Sequence, residues 1–470
     1  MMSRLRCLLS SVLLLTFVSA LAAALPAKPN VLFIAVDDLR DWVGYFGHNP
    51  QAKTPNYDRL ARMGTSFTRA YCASPSCNPS RAALMSGMRP STTAVYENNI
   101  DFRPLITPDK MLTTAFRSAG YFVHGAGKIY HESYRRPTEW DHYLEKEGRY
   151  PPVPAGQSDG VGGIKFAPLD CRDNEIPDWA IADYGIASLA KQHDQPFFLA
   201  VGFHKPHMPW NVPRKWFDLF PLESIKLPPH LENDLNDVPP AGVRMARPEG
   251  DHAAMLQSGR WKEAVQAYLA TVAYCDMNLG RLLDAFEKSA YRDNTIIVLW
   301  GDHGWHLGEK SHWRKFALWE EATRAPLMWV VPGLTKPGTI SDRTVDFMSI
   351  FPTLTDLCGI PTPKHVEGVS IRALLANPNA TWSTPAVTTY RYKNHTARSA
   401  GWRYIRYANG EEELYDEVKD PNEYVNLAGK AEFAARKTEL AQFLPKTDAP
   451  DTEPPSSGGQ KKGGGRKNKK

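Results

Sequence analysis

Asn30-Val31-Leu32-Phe33-Ile34-Ala35-Val36-Asp37-Asp38 decides the fold. A continuous apolar, β-branched run fits a strand covered on both faces, because a half-exposed strand alternates apolar with polar residues. Comparable runs recur at 196–203, 295–300 and 325–331, and helical patterns lie between them at 57–63, 110–119, 178–191, 262–288 and 348–358. Strands alternating with helices predict an α/β fold: a large, mostly parallel mixed sheet sandwiched by helices. Ligands of such sheets bind beyond the carboxyl ends of the strands, which is where the first run gives way to Asp37-Asp38. From 381 onward the pattern changes to short strands at 386–390 and 402–407 with the turn Asn409-Gly410, a smaller antiparallel subdomain that closes with a helix near 431–443.

The ends of the chain read differently from its body. Arg4 and Arg6 precede an apolar stretch from Cys7 to Leu21 and small residues at Ala22 to Ala24, the pattern of a cleavable signal peptide over 1–24 rather than a transmembrane anchor. Export to a secreted or periplasmic location is the expectation. Domain boundaries follow at 25–378 for the main domain, 379–445 for the subdomain and 446–470 for a basic tail expected to be disordered. Arg4 and Arg6 in the leader and Lys461, Lys462, Arg466, Lys467, Lys469 and Lys470 near the end of the tail make eight cations, and without them the formal charge of +5 becomes −3. A near-neutral body argues against nucleic acid as a partner. Loss of Cys7 leaves an odd set, Cys72, Cys77, Cys171, Cys275 and Cys358, so at least one thiol is unpaired and no disulfide framework is expected.

Three groups of residues carry chemistry. Cys77-Asn78-Pro79-Ser80-Arg81 leads into a helix that Gly87 ends, with Cys77 or Asn78 as its cap and Pro79 as its first residue. A side chain at that helix start meets unpaired N–H groups that favour an anion. Asp37, Asp38 and Asp302 lie at strand ends and offer oxygen ligands for a hard cation, Ca²⁺ or Mg²⁺, with His303 beside them. A thiolate is a poor ligand for such a cation, so a Cys77 that joins the site is expected to have its sulfur replaced by oxygen. Lys128, His131, His207 and Lys315, just past apolar runs, supply cations for a bound anion.

Cys77-x-Pro79-Ser80-Arg81 with Gly87, together with Val36-Asp37-Asp38-Leu39-Arg40, Gly127-Lys128, His204-Lys205-Pro206-His207 and Asp302-His303-Gly304-Trp305, resembles the formylglycine sulfatases of the alkaline-phosphatase superfamily. Iduronate-2-sulfatase-like members are the most similar, and Glu413-Leu414-Tyr415-Asp416 resembles their C-terminal signature. The resemblance implies a sulfuric ester hydrolase acting on a sulfated saccharide, with Cys77 oxidised to formylglycine by a maturation enzyme. It further implies one Ca²⁺ on Asp37, Asp38, Asp302, His303 and modified Cys77. Arg81 and Lys128 would hold the aldehyde hydrate, and Lys128, His207 and Lys315 would grip the sulfate. His131 would assist the later step and His207 would protonate the departing sugar oxygen.

Two alternatives stand beside that reading. One is a phosphodiesterase or phosphonate monoester hydrolase of the same superfamily; a two-metal relative would need further ligands, for which His306 and His312 are the nearby candidates. The other is a non-catalytic carbohydrate-binding relative, in which Trp210, Trp305 and Trp313 would stack on sugar rings.

Overall fold

The computed structural model describes residues 28–131 and 134–451. The expected signal peptide and most of the basic tail lie outside the described residues. The central sheet contains β1 (Asn30–Val36), β2 (Thr65–Phe67), β3 (Phe122–Gly127), β4 (His142–Tyr143), β5 (Phe197–Phe203), β6 (Thr295–Gly301), β7 (Leu327–Val330) and β8 (Thr339–Ser341), in the spatial order β8-β2-β7-β6-β1-β5-β3-β4. Pairings β1–β5, β1–β6, β3–β5, β3–β4 and β2–β8 are parallel, whereas β7 runs antiparallel to both β2 and β6.

β1 sits in the middle and is fully buried along its length. Its alternate side chains enter two cores: Leu32, Ile34 and Val36 face one, Val31, Phe33 and Ala35 the other. That division is the physical meaning of the unbroken apolar run. The first core is covered by α1 (Pro55–Met63), α4 (Pro177–Leu189) and α5 (Trp261–Lys288). The second is covered by α2 (Cys77–Ser86), α3 (Leu112–Ser118) and α6 (Ile350–Leu357).

β9 (Ala386–Thr389), β10 (His395–Arg398), β11 (Trp402–Arg406) and β12 (Glu412–Asp416) form a separate antiparallel meander, followed by α7 (Ala434–Ala441). A buried ionic joint fastens it to the main domain. Arg403, 0% exposed, reaches Glu320, Glu417 and Glu423, and Arg398 reaches Glu320 at 3.0 Å. Trp319 Nε1 donates to Glu413 Oε2 at 2.7 Å across the same seam.

Residues 446–451, read from composition as tail, are tied to the body instead. Ala449 N–H donates to the Ser91 carbonyl at 2.7 Å, Tyr96 Oη donates to the Ala449 carbonyl at 2.8 Å, and Asp448 pairs with His395 at 3.2 Å. Backbone hydrogen bonds of this kind leave no trace in hydropathy. Among the described residues no helix is long and apolar enough to cross a membrane, and Cys72, Cys77, Cys171, Cys275 and Cys358 are all free thiols.

Candidate active site

β1 and β6 end side by side, and their last turns bring three carboxylates together. Asp38 takes the left-handed conformation, φ 57°, which breaks the strand's alternation so that Asp37 and Asp38 converge instead of pointing to opposite faces. Its N–H donates to Asp302 Oδ1 at 2.9 Å, linking the two strand ends. All three acids are at most 1% exposed.

α2 begins at Cys77, one residue into the position expected for a cap, and the cap residue is Ser76 in an extended conformation. The shift has a cause at a distance: Asn98 Oδ1 accepts the Asn78 N–H at 3.0 Å and the Ser76 hydroxyl at 2.8 Å, so the helix start is capped by another segment. Gly87 closes the helix at φ 71°, as expected of a left-handed terminus. Cys77 and Arg81 are four residues apart and share a helix face. Arg81 is wholly buried; its Nε donates to Asp302 Oδ2 at 2.9 Å, Nη2 to Asp37 Oδ1 at 3.1 Å, and Nη1 to the carbonyls of Lys128 and Ile129.

Lys128 follows β3, and its Nζ lies 2.6 Å from Asp37 Oδ2. Gly127 makes the bend possible. It has φ 80°, and a Cβ there would lie 1.9 Å from the Gly202 carbonyl oxygen of β5. His207 lies on the loop after β5, where the Lys205-Pro206 and Met208-Pro209 bonds are cis and Asp178 Oδ1 accepts the His204 and Lys205 N–H groups at 2.6 and 3.2 Å. Its Nδ1 is 2.5 Å from the Met208 carbonyl and its Nε2 is 3.8 Å from Asp38 Oδ2. Lys315 Nζ donates to Asp38 Oδ1 at 2.7 Å and to Cys77 Sγ at 2.8 Å. His303 Nε2 lies 3.4 Å from Cys77 Sγ, and buried His131 hydrogen-bonds toward the same sulfur. Every residue assigned to the site from sequence therefore falls in one cluster.

The electrostatics are those of opposed charges packed in a largely buried site. Burial pushes the Cys77 thiol up, but Lys128, Lys315 and His303 outweigh it and hold its pKa well below the ordinary value. Burial likewise opposes ionisation of Asp37, yet Lys128, His207 and Arg81 carry it well below the usual carboxylate range. For Asp302 burial prevails, reinforced by Asp37 and Cys77, and the pKa rises to about 7. His303 goes to about 9 because Asp302 and Cys77 overcome burial, and His207 is raised by Asp38 and Asp37. The Oδ2 atom of Asp38 is buried with no hydrogen-bond partner among the described residues. Ligand atoms of Asp37, Asp38, Cys77 and His207, and of Cys77, Asp302 and His303, form two sets, in each of which they lie within 4.8 Å of one another.

Two expectations are corrected. Trp210 and Trp305 are at most 1% exposed and pack on Tyr268 and each other, so they belong to the core and offer no face to a sugar, while Trp313, 2% exposed and packed on Trp261, does no more than edge the smaller of the two cavities described below. His306 is buried in a short strand pair with Arg314, and His312 is engaged by the carbonyls of Ala246 and Lys315 at 2.7 and 2.6 Å. Neither histidine joins a set of three metal-ligating groups among the described residues. Residues the sequence did not point to are Asn98 and Asp178, and Ser80, a member of the quoted motif to which no role was assigned, donates its hydroxyl to the Asp302 carbonyl at 2.6 Å. They act by holding other residues, and an isolated Asn, Asp or Ser gives no signal of that.

Two cavities lie beside the cluster, and site residues line the larger one. One of about 930 Å³ is lined by Asp37, Lys128, His131, Arg135 and His207, the other of about 770 Å³ by residues including Ser76 and Phe316, and Asn98 lines both.

This sheet and strand-end site define an alkaline-phosphatase-like hydrolase. Residues 29–360 match the Sulfatase family, and residues 308–449 match the model described as N-sulphoglucosamine sulphohydrolase, C-terminal. The chain belongs to the sulfatase family of the alkaline-phosphatase superfamily and is a sulfuric ester hydrolase. It is 41% identical to a sulfatase of Formosa agariphila, over 90% of this chain and 87% of that one. It is 32% identical to the iduronate 2-sulfatase of Mus musculus, over 72% of this chain and 70% of the relative. A phosphonate monoester hydrolase structure from Agrobacterium radiobacter superposes with a TM-score of 0.75 at 22% identity, covering 88% and 94% of the two chains, a likeness of fold.

Proposed function

We propose that the chain releases inorganic sulfate from a sulfated saccharide, iduronate-2-sulfatase-like in its substrate class, with Cys77 oxidised to formylglycine and one Ca²⁺ or Mg²⁺ at the strand ends. The observation that carries the reading is the buried Cys77 Sγ with the Lys315 ammonium 2.8 Å away and three converging carboxylates around it.

The residues present fit a hard cation. Asp37, Asp38 and Asp302 offer oxygens, His303 and the oxidised residue 77 complete the set, and the orphaned Asp38 Oδ2 is a lone pair awaiting a partner. A cation held there supplies Lewis-acid activation of a hydroxyl at residue 77. Addition of water to the aldehyde of the oxidised residue would supply that hydroxyl, and a second one whose loss of a proton expels the sulfate and restores the aldehyde.

The chain's own side chains do the rest. Lys128 and Lys315 present ammonium groups to the sulfuryl oxygens and compensate their growing negative charge. Arg81 holds Asp37, Asp302 and the Lys128 segment in fixed relation. Met208 fixes the Nδ1–H of His207, leaving Nε2 to hand a proton to the departing sugar oxygen. His131 assists release of the sulfate.

The test is sulfate release from a panel of sulfated saccharides by protein co-expressed with a formylglycine-generating enzyme, with phosphate esters as controls. Sulfate release that Cys77→Ala abolishes while melting is unchanged supports the reading. Retained turnover in Cys77→Ala refutes it.

A further inference from the structure

The smaller of the two cavities plays no part in the chemistry proposed above, yet it opens beside the reactive residue. Ser76 precedes Cys77, Phe316 follows Lys315, and Asn98 is shared with the larger cavity. Its wall is rich in guanidinium groups: Arg244, Arg247, Arg314 and Arg391. Its two acids are already matched, Glu97 with Arg391 at 3.1 Å and Asp251 with Arg314 at 2.6 Å. Burial lowers the pKa of the lining His252 to about 4, so it adds no charge near neutrality. Arg244 and Arg247 remain, both exposed and with no carboxylate partner among the described residues. Arg244 lies in the last turn of the helix Pro240–Ala246 and Arg247 is its left-handed cap, and both line this cavity.

The backbone gives an independent indication. Ten non-glycine residues adopt positive φ among the described residues, and four of them, Arg247, Arg314, Phe316 and Arg391, line this one cavity. Conformations of this kind persist where surrounding structure holds them, and they cluster at binding sites. Phe316 and Tyr390, with ring centroids 6.0 Å apart, supply an aromatic wall against which a sugar ring can lie.

We propose that this cavity is a second anion subsite, with Arg244 and Arg247 as specificity-determining residues that bind the carboxylate or sulfate of the sugar next to the one being desulfated. The planar guanidinium fork matches either group. The inference rests on the saccharide-sulfatase reading and narrows it: the substrate is at least a disaccharide and carries a second negative charge.

Three disaccharides test it: one bearing a uronate carboxylate and one sulfate, the same compound with the carboxyl reduced to an alcohol, and the reduced compound carrying a second sulfate. Preference of the wild type for the first over the second, measured as kcat/KM, assigns the carboxylate. Preference for the third alone assigns the second sulfate. In the double variant Arg244→Gln, Arg247→Gln that preference ratio is expected to fall about tenfold for each guanidinium removed. A wild type without preference, or a ratio unchanged in the variant, overturns the proposal. Calorimetric binding of the same disaccharides to Cys77→Ala protein separates the two readings. If no disaccharide is hydrolysed but the arginine-dependent preference persists in Kd, the subsite stands and the saccharide-sulfatase reading falls. If neither hydrolysis nor that preference is seen, the subsite is refuted as well.

Discussion

Arg81→Met probes whether the site is built as an electrostatic unit. Methionine keeps the length and apolar contact of the side chain but removes donors to Asp302 Oδ2, Asp37 Oδ1 and two backbone carbonyls, all buried. Breaking a buried ion pair by deleting one partner costs about 3–5 kcal/mol, because the remaining charge stays in a medium that solvates it poorly. At about 2.1 cal/mol/K of unfolding entropy per residue, 1 kcal/mol is worth about 1 °C for a chain of this length, so melting should fall by about 3–5 °C. The loss should be largest in EDTA and smaller with Ca²⁺, since a cation among the carboxylates takes over part of the guanidinium's role. Turnover should drop about 10²–10³-fold, the usual effect of removing a preorganised donor. Differential scanning calorimetry with and without Ca²⁺ reads the first effect. A melting temperature in EDTA within about 1 °C of the wild type would refute the reasoning.

Three further outcomes follow from the geometry. Gly127→Ala should cost about 2–4 kcal/mol and depress activity with it, because φ 80° and a Cβ 1.9 Å from the Gly202 carbonyl force the Lys128 segment to move; thermal melting and kcat check it together. Arg403→Met should loosen the C-terminal sheet by about 3–5 kcal/mol, chiefly by taking from buried Glu423 its Arg403 partner while Arg398 still reaches Glu320 and Glu417, seen as faster hydrogen exchange over Trp402–Arg406. Burial lowers the pKa of His124 to about 3 in the folded state against 6.5 for the exposed group, so the unfolded chain binds a proton first as pH falls. Stability present above pH 6.5 is thus lost progressively below it, by about 2 kcal/mol at pH 5, and His124→Gln should shrink the melting shift between pH 7 and pH 5 by about 2 °C. An unchanged shift in that variant counts against the assignment.

The central fold was legible where its physics is local. β1 reads as a doubly buried strand because each of its faces meets a helical layer, and the carboxylates at its end mark the site because the strand's alternation breaks at Asp38. Cys77 was legible as a residue at a predicted helix start, and Arg81 through the motif that resembles the sulfatase signature. What escaped depends on partners far away in sequence. β3, Phe-Val-His-Gly-Ala-Gly, does not read as an apolar run, since its glycines are required by the close approach of β5 rather than by its own propensity. The start of α2 is set by Asn98, and Trp210, Trp305 and Trp313 are core residues although their local sequence resembles that of loop aromatics. The arginine-lined cavity was invisible for a related reason: Arg244, Arg314 and Arg391 come from three separate segments.

The central claim is that residue 77 acts as an oxidised cysteine. Mass spectrometry of the peptide spanning Cys77, from protein that is releasing sulfate, tests it most directly. The account predicts formylglycine at position 77 in proportion to the active fraction. A fully active preparation carrying an unmodified Cys77 thiol would contradict it.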